Sequence, residues 1–204
     1  MAEIDLKTQI QQQWEAAQQM LPSRTIIFDA AITEDTAARL IGHLLLLERL
    51  SQEPIILVIR SHGGQVYAGL SIYDTLRCLT VPVIAIVDTI AAGNALLFLL
   101  ASDQRYALPN SQLVYIPIMA LDTKGTGSDL VIQSLEVQRL SAIHTGSFQQ
   151  HIATLKHPNP VWRLFKRPGW DLGKEHRFST QQALEYNLID AVVENVEAIA
   201  RQFR

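Results

Sequence analysis

Residues 54–59 read Pro-Ile-Ile-Leu-Val-Ile, an apolar and mostly β-branched run with no polar alternation. A strand covered on one face alternates apolar and polar residues, whereas one without alternation is covered on both, as parallel strands are between layers of helix. The run ends in Ser61-His62-Gly63-Gly64, a turn, and helical spacing follows over residues 66–79. The unit then recurs: residues 82–87 form a second buried strand, and Ala91-Ala92-Gly93-Asn94 opens an apolar helix to about Ala101. Upstream, residues 25–28 read as a short strand, and Thr33 followed by Glu34 and Asp35 makes an N-cap and acidic first turn for a helix to Leu50. This alternation predicts an α/β chain wound around a mostly parallel sheet. Ligand sites in such sheets lie where loops leave the carboxyl ends of strands, and Gly63-Gly64 and Gly93 both fall there.

Residues 105–108 and 112–116 read as strands parted by Pro109-Asn110, and a long helix runs from Ser128 to about Leu155 after Gly125-Thr126-Gly127. Leu6, Ile10, Trp14, Ala17 and Leu21 recur at three- and four-residue steps, which predicts an N-terminal helix within residues 1–22 that Pro22 ends. Residues 157–173 form the one long irregular region, carrying Trp162, Phe165 and Trp170 among Arg163, Lys166 and Arg167. Such a cluster suits either a binding surface or packing on the chain's own body.

With 17 basic and 20 acidic residues the net charge is -3, which supplies no basic surplus for nucleic acid or an anionic membrane surface. The most apolar stretch, residues 84–101, is broken by Asp88, Thr89, Gly93 and Asn94, short of the roughly 18–20 uninterrupted residues a membrane span needs. Asp88 is placed to cap the next helix or to pair across a subunit contact. Cys78 is the single cysteine, so no intrachain disulfide forms, and its place beside Leu76 and Leu79 reads as a small core residue. Met1 is followed by Ala-Glu-Ile-Asp rather than by a basic and then apolar signal segment, and a reducing, cytoplasmic setting is expected. His144, His151 and His157 have no Asp, Glu or Cys at ligand spacing and read as solvent-facing; no metal and no cofactor are expected.

Longer ordered matches then come into view. Gly69-Leu70-Ser71-Ile72-Tyr73-Asp74-Thr75-Leu76 resembles the G-M-A-I-Y-D-T-M segment of the Clp protease proteolytic subunit, ClpP, and Arg105-Tyr106-Ala107-Leu108-Pro109-Asn110-Ser111 matches its R-Y-A-L-P-N-S. Ser128-Asp129-Leu130-Val131-Ile132 resembles its T-D-I-E-I, and residues 183–190 its A-x-E-Y-G-L-I-D. The resemblance implies a ClpP/crotonase-like spiral β-α-β fold in one domain over 1–204. Its parts would be the N-terminal helix, a handle over 117–155 and an inserted loop over 157–173.

ClpP-like chains are serine peptidases, which need a nucleophile, a base within hydrogen-bond reach and a group that orients the base. By the resemblance, the nucleophile position in A-A-S-M-G falls on Gly93, the base position in I-H-Q-P on Ile116, and the third position on Glu175, or on His176 if the Arg-Phe pair is matched. Glycine cannot attack a carbonyl and isoleucine cannot move a proton, so lost activity is expected. Gly64 and the amide of Asn94 would remain as a vestigial oxyanion hole. His62 has no evident nucleophile beside it. Ser61, Ser102 and Ser111 are the nearest serines to the presumed cleft, and Ser111 belongs to the turn motif.

The family docks its AAA+ unfoldase partly through tyrosines on the strand before S-P-G-G, where this chain carries Ile56 and Val58. Only Met1 to about Ile4 precede the first helix, so an axial gate of the usual kind is not expected. The long loop after the long helix resembles that of the ClpR subunits of cyanobacteria and plastids, which lack the triad. The expected role is therefore a catalytically inactive ClpR-type subunit in heptameric rings beside an active ClpP paralogue, cytoplasmic or in a plastid stroma. Two other roles stand beside it: a crotonase-fold enzyme acting on acyl thioesters through the two amide donors, and a homo-oligomeric, non-proteolytic scaffold.

Overall fold

The computed structural model describes residues 24–118, 127–154 and 174–202. The N-terminal helix, the 157–173 loop with its aromatic cluster, and the side chains of His151 and His157 lie outside the described residues.

The expected alternation is present: β1 (Thr25–Asp29), α1 (Glu34–Leu50), β2 (Ile55–Ser61), α2 (Val66–Cys78), β3 (Val83–Ala92), α3 (Asn94–Ala101), β4 (Gln104–Ala107) and β5 (Gln112–Tyr115). The long helix α4 (Gly127–Thr154) follows, then β6 (His176–Ser179), α5 (Thr180–Glu185), β7 (Ala191–Val192) and α6 (Val196–Gln202). Thr33 caps α1 as its sequence indicates, in a reciprocal box with Thr36: each side chain accepts the other's backbone N–H, at 3.2 and 2.8 Å. The other end of α1 is held by a residue with no local signal. Arg24 donates to the carbonyls of Leu47, Glu53 and Pro54, closing the helix terminus against the start of β2.

The seven strands form one sheet, ordered β1-β2-β3-β4-β7, with β5 pairing β3 and β6. All pairs are parallel except β5 with β6. The feature that shapes the sheet is the length of β3. Ile84–Val87 pair with β4, then Ile90–Ala92 pair with β5, so one strand serves two successive neighbours. This corrects the reading that the strand stops at Val87. Asp88 and Thr89 lie inside β3, and Asp88 accepts a hydrogen bond from Arg60 of β2 rather than capping a helix.

On β2, residues 55, 57 and 59 point into the main core with α1, α2 and α3, while Ile56 and Val58 belong to a second apolar cluster on the opposite face. Both faces of the central strands are thus covered, as the unalternating runs require. α3 is buried on every side, from Asn94 to Ala101. Each fully buried Leu or Phe of that helix stabilises the fold by about 1.5–3 kcal/mol relative to exposure. No helix among the described residues is long and apolar enough to cross a membrane.

Two side chains depart from expectation. Cys78 is exposed, because α2 turns Ala68, Gly69, Ile72 and Leu76 inward and residue 78 lies off that face. His144 on α4 is buried rather than solvent-facing, its ring 5.6 Å from that of Tyr115.

Candidate functional site

The end of β3 meets the start of α3 in a sharp turn at Gly93. Its torsions, φ 54° and ψ −125°, lie where a side chain is strained and glycine is not. The turn is pinned by its backbone: the Gly93 N–H donates to Val114 on β5 at 3.0 Å, and its carbonyl accepts from Leu96 at 3.1 Å. Strand, turn and helix in this order make the elbow on which hydrolases present a nucleophile to substrate. A Cβ on Gly93 would sit 3.9 Å from Ile116 Cβ and 4.0 Å from the His62 carbonyl oxygen. Space for a side chain therefore exists, and it faces residue 116.

The loop after β2 forms the neighbouring wall. Ile32 crosses Gly63-Gly64 in a short parallel bridge, its N–H donating to the Gly63 carbonyl and its carbonyl accepting from Gln65, both at 2.9 Å. The approach is so close that a Cβ on Gly64 would stand 2.2 Å from the Ile32 oxygen. Asn94, buried at the first turn of α3, ties this loop to the elbow: its side-chain amide donates to the carbonyls of Gly64 and Gln65 at 3.3 and 3.2 Å. Gly69 leaves room for it, since a Cβ there would meet Asn94 Cβ at 2.5 Å. Elbow and loop are locked together by main chain and amide.

The third wall is the antiparallel pair. Its register runs from Gln112 opposite Ser179 to Tyr115 opposite His176, and the pairing ends there, one residue short of Ile116 and Glu175. The Glu175 carboxylate is taken by Arg177, whose Nε donates to it at 2.7 Å at the surface. Of the positions singled out from sequence, 93 lies against 116, while Glu175 lies just before β6. The nearby serines serve the backbone: Ser61 donates to Ala30 at 2.6 Å, Ser102 to Phe98 at 2.8 Å, and Ser111 to Val87 at 2.7 Å. His62 is exposed on the loop. Among the described residues, no three His, Cys, Asp or Glu side chains are grouped to hold a metal ion.

The sequence model of the Clp protease family matches residues 8–196. The chain belongs to the Clp protease family. It is 32% identical to the ATP-dependent Clp protease proteolytic subunit 1 of Streptomyces avermitilis over 194 residues, covering 90% of this chain and 81% of that one. It is also 32% identical to the ATP-dependent Clp protease proteolytic subunit of Deinococcus radiodurans over 178 residues, covering 86% and 82% respectively. A ClpP1 mutant from Listeria monocytogenes superposes with a TM-score of 0.75 at 22% identity, over 90% of this chain and 99% of that chain, and so shares the fold.

In this Clp protease chain, sequence reasoning missed the layer behind the site. Tyr115, adjacent to Ile116, is buried beneath α4 and shares a hydrogen bond of 3.2 Å with Thr145. Burial pushes the Tyr115 hydroxyl pKa up, and burial alone drives His144 down to about 4, so its ring is neutral near pH 7. Among the described residues, neither His144 ring nitrogen has a hydrogen-bond partner. Farther along α4, Glu136 accepts from Tyr67 of α2 and from Arg139, and these contacts hold its carboxyl down to about 2. Tyr67 follows the Gly63-Gly64 loop closely, so α4 is tied to that loop as well as to β5.

Proposed function

We propose that this Clp protease family member is a catalytically inactive, ClpR-type subunit that takes part in ring assembly beside an active ClpP paralogue and cuts nothing itself. The observation that carries the reading is at the elbow, where the turn residue is Gly93 and a side chain there would meet Ile116 at 3.9 Å. Hydrolysis of a peptide bond by this family's chemistry requires a hydroxyl at the first position and an imidazole at the second. The Gly64 and Asn94 amides would act as a vestigial oxyanion hole, able to hold a carbonyl without attacking it, and such donors alone give weak catalysis at best. In the third position Glu175 has no imidazole to orient. The subunit would line the chamber, lower the number of cutting sites in a ring and change which AAA+ unfoldase the ring accepts.

The test has two arms. The purified chain is expected to resist a fluorophosphonate serine probe and to leave short fluorogenic peptides intact; stoichiometric labelling overturns inactivity. Native mass spectrometry of complexes captured from source cells through a tag on this chain is expected to find a serine-bearing ClpP chain at fixed ratio in one ring mass. Rings containing this chain alone would overturn the mixed-ring reading.

A further inference from the structure

α4 is held to the body of the chain by a narrow stripe. Of its described side chains only Leu140 and His144 are buried, four residues apart on one face, with Glu136 and Val137 partly buried one turn earlier. Leu130, Val131, Ile132 and Leu135 are exposed. The stripe thus carries an imidazole where a helix packed on a core calls for an apolar side chain. His144 is 2% exposed, its ring lies 5.6 Å from that of Tyr115, and neither ring nitrogen has a hydrogen-bond partner among the described residues. A neutral imidazole in this place leaves one N–H without an acceptor, and a protonated one leaves two together with a charge.

Among the described residues, the neighbours offer the charged form no counter-charge. α3, which packs against α4, carries no titratable residue from Asn94 to Ala101. β5 brings Tyr115, whose hydroxyl shares its hydrogen bond with Thr145, and β6 brings a second imidazole, His176, with its ring 6.3 Å from that of Tyr115. On α4 itself Glu136 and Arg139 lie more than a turn earlier, engaged with each other and, through Glu136, with Tyr67 of α2. We propose that His144 is a proton-operated release for α4: on taking up a proton the ring leaves its place against Tyr115, and the helix around it lifts from β5 and α3 while the sheet stays folded. The packed ring is neutral, so acid favours the lifted form, in which water solvates the imidazolium, and base favours the docked one. Glu136 stays ionised and paired above about pH 2, so α4 lifts around residue 144 and remains tethered at Tyr67. Tyr115 adjoins Ile116, and the wall facing Gly93 loosens with it. The proposal concerns the packing of α4 and rests on no reading of the chemistry at residue 93.

The experiment is hydrogen exchange of the full chain at pH 7 and at pH 5, expressed as protection relative to the intrinsic exchange rate at each pH. With the ring's pKa at about 4 when packed and 6.5 when free, the lifted fraction rises about twentyfold between those two conditions. Amides of residues 140–146 are expected to lose protection by that factor, while those of β2 and β3 keep theirs within about twofold. His144→Phe and His144→Met should each abolish the loss, and His176→Gln should retain it. Equal protection of residues 140–146 at both pH values overturns the proposal from the wild-type chain alone, whether or not the variants fold. A loss shared with β2 and β3 overturns it as well, as does a loss that persists in a His144 variant. Disappearance of the loss in His176→Gln would assign the proton to His176 and overturn it too.

Discussion

Ile116 Cβ stands 3.9 Å from the point where a side chain on Gly93 would begin. The contact joins residues on different strands of the sheet, one at the end of β3 and one just past β5, and the β3–β5 pairing sets its distance. The elbow and its facing residue thus carry a glycine at one end and an isoleucine at the other.

Introducing one group should therefore do nothing, and introducing both should do something. Gly93→Ser alone is expected to remain unlabelled by a fluorophosphonate, because no base faces the hydroxyl. Gly93→Ser with Ile116→His is expected to gain slow labelling, read as probe incorporation over hours. Labelling of the single variant would show that another base operates.

Space permits a side chain at 93 but the torsion opposes it. Gly93→Ala is expected to cost about 1–3 kcal/mol in chemical denaturation, the usual cost of a residue held in a sparsely populated backbone region. At Gly64 the obstacle is contact with main chain, 2.2 Å from Ile32 oxygen. Gly64→Ala should cost more than Gly93→Ala, about 3–4 kcal/mol or failure to fold, because Ile32 cannot rotate away.

His144 makes stability depend on acidity. Its pKa falls from 6.5 to about 4 on folding, so the unfolded chain binds the extra proton and stability rises with pH. The contribution is complete above pH 6.5 and is lost as pH falls toward 4, up to roughly 3 kcal/mol for a shift of this size. His144→Phe should flatten the fall in denaturation midpoint between pH 6.5 and 4; an unchanged slope would assign it to other groups.

Arg105 is buried beneath a fork of acceptors. Its guanidinium donates to both oxygens of Asp190, at 2.6 and 3.3 Å, and its backbone N–H reaches the same carboxylate at 2.8 Å. Asp190→Ala should cost about 2–3 kcal/mol by urea denaturation, less than a fully enclosed pair because Asp190 is half-exposed. Asp190→Asn should recover part of the loss by keeping one acceptor.

What the sequence showed well was local or periodic. Thr33 announces its helix because a cap acts over three residues, and residues 54–59 announce a two-sided strand because burial leaves no polar position. The length of β3 was hidden because Asp88 looks like a break until Arg60 of the next strand is known to meet it. Cys78 and His144 were misread for a related reason: α2 buries a face two residues away from Cys78, and Tyr115, distant in sequence, supplies the surface that encloses His144. The nearness of 93 and 116 had no local signal. Its physical source is strand register, which pairs residues far apart in the chain.

The elbow at Gly93 bears on how such a chain tolerates change. Enzymes ordinarily trade stability for function, because a reactive side chain must be kept in an unfavourable conformation by its surroundings. Here the tightest torsion of the turn belongs to the one residue type that adopts it without cost, and the restraints around it are main-chain hydrogen bonds and the Asn94 amide. The turn is therefore held in shape without any side chain at residue 93, so its stability places no demand on what residue 116 presents to it.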